Sequence, residues 1–169
     1  HFYSAIGSYT VTLVAASDSS CLDTAQKIVS VYELPNADFG LKNVCKYDSA
    51  RFTDLTTLAS GTIAMWNWSF GDGNTSTGQN PANLYAAADT YTVALGIISD
   101  MGCLSLKLDS IIIHPLPQPD YSAASVCEYD SIQFNDNSSV SSGNVIGWSW
   151  DFSDGNFSVA QSPLYFFGA

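Results

Sequence analysis

Four sets of residues in this chain are of a type and spacing that could do chemistry: two Asp-Gly pairs, four cysteines, two histidines and a series of Asp-Ser/Thr dipeptides. Asp72-Gly73 and Asp154-Gly155 could open calcium loops, because carboxylates on turns supply hard oxygen ligands. Each turn offers one carboxylate, against the six to eight oxygens that calcium takes. A tight turn asks for less: a glycine at positive φ and an aspartate accepting backbone N–H groups. The turn reading is preferred, so no cofactor and no metal site are expected, calcium included. His1 and His114 have no patterned serine, cysteine or carboxylate beside them, and no two histidines share metal-ligand spacing. No catalytic residue is expected, and the chain reads as a non-enzyme. Cys21, Cys45, Cys103 and Cys127 show no C-x-x-C spacing, which disfavours zinc ribbons and redox sites.

The elements that position these residues recur. Trp66-Asn-Trp-Ser-Phe-Gly-Asp-Gly-Asn74 is echoed by Trp148-Ser-Trp-Asp-Phe-Ser-Asp-Gly-Asn156, a shift of 82 residues. The same shift carries Cys45 onto Cys127, Phe52 onto Phe134, Pro81 onto Pro163, Tyr9 onto Tyr91 and Cys21 onto Cys103, with no gap. A repeat of this period is the mark of an array. It frames residues 32–114 as one complete unit, 1–31 as the C-terminal part of a preceding unit and 115–169 as the N-terminal part of a following one. The sequence is thus expected to be a window on a longer array, or else a chain whose partial units complement neighbouring chains.

Within a unit the apolar period is two. Trp66, Trp68 and Phe70 alternate with polar residues, as do Trp148, Trp150 and Phe152, and Tyr91, Val93 and Leu95 form another such run. Turn signals at 71–74, 99–102 and Ser60-Gly61 separate them. About seven short strands per 82-residue unit around a tryptophan strand predict an all-β fold of tandem immunoglobulin-like sandwiches, with Tyr9 and Tyr91 placed to tie a strand corner through their hydroxyls. Composition agrees with an exposed, folded chain. Sixteen acidic residues against five basic ones give a net charge of −11, which excludes a nucleic-acid footprint. No apolar run is long enough to span a bilayer as a helix.

The run Trp66-x-Trp68-x-Phe70-Gly71-Asp72-Gly73, followed by Pro81, Tyr85, Tyr91-x-Val93-x-Leu95 and Gly102-Cys103, resembles the PKD (polycystic kidney disease) domain. Ser153, Asn83 and Asp89 depart from its usual Gly, His and Gly. The resemblance implies a PKD-type sandwich in an extracellular, surface or secreted protein. It points to large bacterial surface proteins of gliding bacteria, including adhesins and fibres exported by the type IX route. The expected function is a structural and adhesive stalk or filament. Its partners would be neighbouring units, through self-assembly, and an extracellular glycan or surface ligand, with no membrane insertion in this stretch. The alternative is an accessory polysaccharide- or protein-binding module of a secreted hydrolase. That would call for a flat aromatic face, for which Phe157, Tyr165, Phe166 and Phe167 are candidates, although their equivalents Thr75, Asn83, Leu84 and Tyr85 are mostly not aromatic.

In a sandwich of this topology Cys45 and Cys103 are expected at opposite poles, beyond the roughly 7 Å Cα limit of a disulfide. Bridges between successive units are then expected, in an oxidising compartment. An intra-unit bridge through a bent strand and free thiols are the alternatives. Asp-(Ser/Thr)-x sequences place Thr24, Ser49, Ser110 and Ser131 in what looks like the O-glycosylation motif of secreted proteins from gliding bacteria, which would make the chain a glycoprotein.

Overall fold

The computed structural model of the chain describes residues 1–167. It is all-β. β1 (Gly7–Ala16) and β2 (Leu22–Val31) form a regular antiparallel hairpin in which Gly7 faces Val31 and Ala16 faces Leu22. There follow β3 (Phe39–Gly40), β4 (Val44–Cys45), β5 (Ser49–Arg51), β6 (Thr53–Asp54), β7 (Ile63–Ser69), β8 (Thr75–Ser76), β9 (Ala82–Leu84), β10 (Thr90–Ser99) and β11 (Leu104–His114). The last strands are β12 (Tyr121–Ala123), β13 (Ser131–Asp136), β14 (Trp150–Asp151), β15 (Phe157–Ser158) and β16 (Leu164–Phe166). By packing, the chain divides into two compact units. One holds His1–Lys42, Ser49–Leu84 and Thr90–Ile111; the other holds Asn43–Asp48, Tyr85–Asp89 and Ile112–Ala169.

In the first unit β11, β10, β7 and β8 lie side by side, and the short pairs β3-β6 and β5-β9 supply the opposing layer. Rings join the layers: Phe39 meets Trp68 edge-on at 5.2 Å, and Phe52 lies 5.7 Å from Trp68 and 5.1 Å from Phe70. Such pairs add about 0.5–1.5 kcal/mol each beyond area burial, which helps a domain this small to hold a core. Val93, Leu95 and Ile97 on β10 and Ile111 on β11 are fully buried, as strand alternation demands. Leu95 faces Trp68 and Ile97 faces Trp66 across the β10–β7 ladder, before a bulge at Ile98/Ser99.

From β3 to β11 the structure has nine strands where about seven were expected. One expected strand is split at Phe52, whose N–H bonds the Pro81 carbonyl at 3.0 Å, so β5 pairs with β9 while β6 pairs with β3. The hairpin β1–β2 differs from β10–β11 in one respect. Nearly every residue on both of its faces is exposed. Tyr9 closes its corner as expected, its hydroxyl donating to the Ala5 carbonyl at 2.9 Å.

In the second unit β4 pairs in parallel with the end of β11, Val44 opposite Ile113 and Cys45 opposite His114. β12, β13 and β16 form a three-stranded sheet, and β14 and β15 a two-stranded ribbon. Tyr121, Phe134 and Trp150 cluster with centroid separations of 5.3–6.0 Å, and Phe152 stacks on Tyr165 at 3.8 Å.

Candidate functional site

The aspartates of the two Asp-Gly turns are hydrogen-bonded within the fold. At the Asp-Gly turn, Asp72 Oδ1 accepts the Asn74 N–H at 2.9 Å, while Oδ2 accepts side-chain amides from Asn83 at 2.7 Å and Asn74 at 3.0 Å. Burial pushes the Asp72 carboxyl up, but these donors outweigh it and the group sits below the usual carboxylate range. In the second copy Tyr165 donates its hydroxyl to Asp154 at 2.7 Å and Asn156 its N–H at 3.0 Å. Those bonds hold Asp154 below the usual range and raise the Tyr165 phenol. Position 83 and its repeat equivalents are thus Asn, Tyr and, at residue 1, His: three side chains that can all donate a hydrogen bond. The residue type varies while the donor persists, a signal that comparing side-chain identities alone passes over.

A second carboxylate was not singled out from the sequence. Trp66 Nε1–H donates to Asp54 Oδ2 at 2.8 Å, joined by Gln79 at 3.1 Å, while the Thr56 N–H bonds Oδ1 at 3.0 Å. Eighty-two residues on, Trp148, Gln161 and Ser138 bind Asp136 in the same way, at 2.8, 3.2 and 3.0 Å. The repeat itself was the available signal, since all four positions recur in register. This arrangement leaves Trp66 half-buried, so the core strand contributes Trp68 and Phe70 as its fully buried rings.

Bonds from Ser138, side chain and backbone, with Gln161 and Trp148, lower Asp136 to about 2. Asp54 is also lowered: burial opposes, and the Thr56, Trp66 and Gln79 bonds prevail. A carboxylate depressed in the folded state stabilises fully above its ordinary value of 3.8, and that contribution is lost as pH falls toward about 2. The melting temperature is therefore expected to fall steeply between pH 4 and 2, and to fall less steeply when Asp54 and Asp136 are both changed to Asn. Relief of repulsion in a chain of net charge −11 acts in the opposite sense, so the contrast between variant and parent isolates these two groups. Parallel melting curves for the two proteins across that range would refute the assignment.

The four cysteines are free thiols. Cys45 stands opposite His114, the last residue of β11, and Cys103 immediately precedes its first, Leu104. Cys103 N–H bonds Ser99 Oγ at 3.1 Å and Cys21 N–H bonds Ser17 Oγ at 3.2 Å, so the two hairpin turns are built alike. Thr24, Ser49, Ser110 and Ser131 all lie exposed on strands. The Thr24 and Ser110 N–H groups are each held by the preceding aspartate at 2.7 Å. Among the described residues no group of three or more His, Cys, Asp or Glu is placed to hold a metal. Of the aromatic candidates, Tyr165 stacks on Phe152 at 3.8 Å and Phe167 meets Phe152 edge-on at 6.2 Å, while Phe157, Phe166 and Phe167 are exposed.

A cleft of about 800 Å³ lies within the second unit, lined by Tyr121, Phe134, Trp148, Trp150, Phe152 and Phe167 among others. Tyr121 is 59% exposed, whereas its repeat equivalent Phe39 is 4% exposed.

Residues 32–112 match the model of the PKD domain family. The PKD-type fold expected from the tryptophan strand is the one found there. Over 66 residues, 39% of its length, the chain is 35% identical to Collagenase ColA of Bacillus cereus, of which that stretch covers 7%. Among solved structures, the PKD1 domain of the Vibrio cholerae metalloprotease PrtV aligns at 31% identity and a TM-score of 0.45, over 48% of this chain and 98% of that one. The PKD1 domain of Vibrio anguillarum Epp aligns at 24% identity and 0.48, over 51% and 100%. The chain therefore spans a small fraction of its curated relative and nearly all of each isolated PKD1 domain.

Proposed function

We propose that the chain is a non-enzymatic spacer and adhesive segment of a secreted surface protein, in which successive PKD-like units form a stalk. The observation that carries this reading is the recurrence, 82 residues apart, of the same hydrogen bonds on Asp54 and Asp136 and of the same Asp-Gly turns. Each unit devotes its distinctive polar residues to its own turns and strand ends, which is what serial building blocks require. An acidic surface of low charge density suits an exposed, soluble stalk. The units would be joined by cysteine bridges and carry sugars at Ser49 and Ser131.

A second reading, an accessory module that holds insoluble substrate for a hydrolase, is favoured by the identity with Collagenase ColA. Sedimentation with insoluble collagen, chitin and cellulose separates the two. The stalk reading expects the chain to stay in the supernatant with all three. Saturable retention on any one of them would favour the accessory module.

A further inference from the structure

Over its first half β11 reverses the usual polarity of a strand. Ile111 is fully buried, so Asp109, Lys107 and Ser105 share its inward side, while Leu104, Leu106 and Leu108 point out and are 65%, 62% and 57% exposed. In the repeat, positions 106 and 108 correspond to Thr24 and Gln26, so leucine there answers no need common to the units. Lys107 stands between those leucines, and it is turned inward to an ion pair with Asp38 at 3.3 Å.

The backbone of the same stretch is open. Ser99 N–H bonds the Cys103 carbonyl at 3.0 Å and Ile113 N–H bonds the Asp89 carbonyl at 2.8 Å, so the odd-numbered residues of β11 face β10. The even-numbered ones direct their N–H and C=O groups to the other side. Toward the end of the strand that side is closed. β4 pairs with Ile113 and His114, Asn43 Oδ1 accepts the Ile112 N–H at 2.9 Å, and Asp109 Oδ1 accepts the Ser110 N–H at 2.7 Å. Along residues 104–108 no strand lies alongside, among the described residues. Natural edges are blunted by proline or outward charge, and this stretch has neither.

We infer that β11 pairs with β11 of a second copy, antiparallel about a two-fold axis at Leu106, so that the sheet runs on from one molecule into the next. The second copy is the occupant because the edge is complementary to itself. With Leu106 opposite Leu106, Leu104 falls opposite Leu108, and the open N–H and C=O groups of all three leucines find partners. Their side chains meet as cross-strand apolar pairs on the outer face. Lys107 falls opposite Ser105; a pairing centred on Lys107 would set two like charges against each other. The contact is isologous and closes at two. So short an edge buries less than the roughly 1,200 Å² at which standard interfaces begin, so the dimer is weak and grows with concentration. This gives the adhesive half of the proposed function a partner and rests on that reading.

The test uses the full chain with its four native cysteines changed to Ser, so that only introduced thiols react. Leu106→Cys puts two thiols opposite each other across the axis, with Cα atoms about 5.5 Å apart, within reach of a disulfide. Mild oxidation is expected to give a reducible dimer and nothing larger. In Leu104→Cys the two thiols are displaced by about 13 Å along the strand, and crosslinking should be several-fold slower. Combining Leu104→Cys with Leu108→Cys should restore it. With no cysteine present, light scattering should show a dimer that grows with concentration, and Leu106→Lys, at an exposed position, should abolish it. Equally slow crosslinking at positions 104 and 106 would overturn the proposal. So would a chain that stays monomeric while a synthetic peptide of residues 103–110 protects the Leu106 amide from hydrogen exchange, since the edge would then take a separate strand. None of these outcomes touches retention on collagen, chitin or cellulose, which tests the spacer reading.

Discussion

Replacing Trp68 by Ala is expected to remove most of the stability of the first unit. The indole is 2% exposed, touches Phe39, Phe52 and Phe70, and donates its N–H to the Gly78 carbonyl at 2.9 Å. Truncating a buried aromatic costs about 3–5 kcal/mol through lost transfer energy and the cavity left behind. The orphaned carbonyl adds to that. Against a total of about 5–15 kcal/mol for a domain, with small ones at the low end, little would remain. The same substitution at Trp150, the repeat equivalent, is expected to cost much less in dilute solution. Trp150 is half-buried, although it too donates its N–H, to Ala160 at 2.8 Å. Hydrogen exchange read by peptide should show lost protection across β7 and β10 in Trp68→Ala and a confined change in Trp150→Ala. Equal losses in the two variants would mean that the exposed aromatic layer of residues 121–167 is as firmly packed as the first unit's core.

That contrast bears on what the sequence makes legible. The alternation Trp66-Trp68-Phe70 marks an inward strand face because period-two burial depends on local geometry alone. The Asp-Gly turn is legible for the same reason: its defining bond, Asn74 N–H to Asp72, spans two residues. Asp54 was hidden because, beyond the local Thr56 N–H, the side chains that bind it come from elsewhere in the chain. Trp66 lies twelve residues on and Gln79 twenty-five, and on a short strand an isolated aspartate looks like any solvent-facing residue. The break at Phe52 was hidden too, since it depends on which strand each half finds as a partner. Tyr165 looks like a surface aromatic in sequence, yet it stacks on Phe152 and caps Asp154. Sequence conveys the short-range half of this fold. The long-range half is recovered only where the repeat allows two copies to be compared.

Gly71→Ala is expected to be the second most damaging change, and its neighbour Gly73→Ala a mild one. Both glycines hold positive φ, +80° and +95°, so each alanine incurs the left-handed penalty of about 1–2 kcal/mol. They differ in what a new methyl would meet. At Gly73 nothing lies within 4 Å; at Gly71 the Thr92 carbonyl oxygen lies at 2.5 Å and its amide nitrogen at 3.2 Å. Those are backbone atoms of β10 and cannot swing aside, so the turn and the strand must part, at a further cost of about 1–3 kcal/mol. Urea titrations should therefore rank Gly71→Ala below Gly73→Ala by at least that lower bound. Equal midpoints would show that the turn does not press on β10. Ser153 tests the argument from the other side. It occupies the same corner in the second copy at φ +62°. Ser153→Gly should relieve the backbone strain, by about 1 kcal/mol, even in the isolated chain.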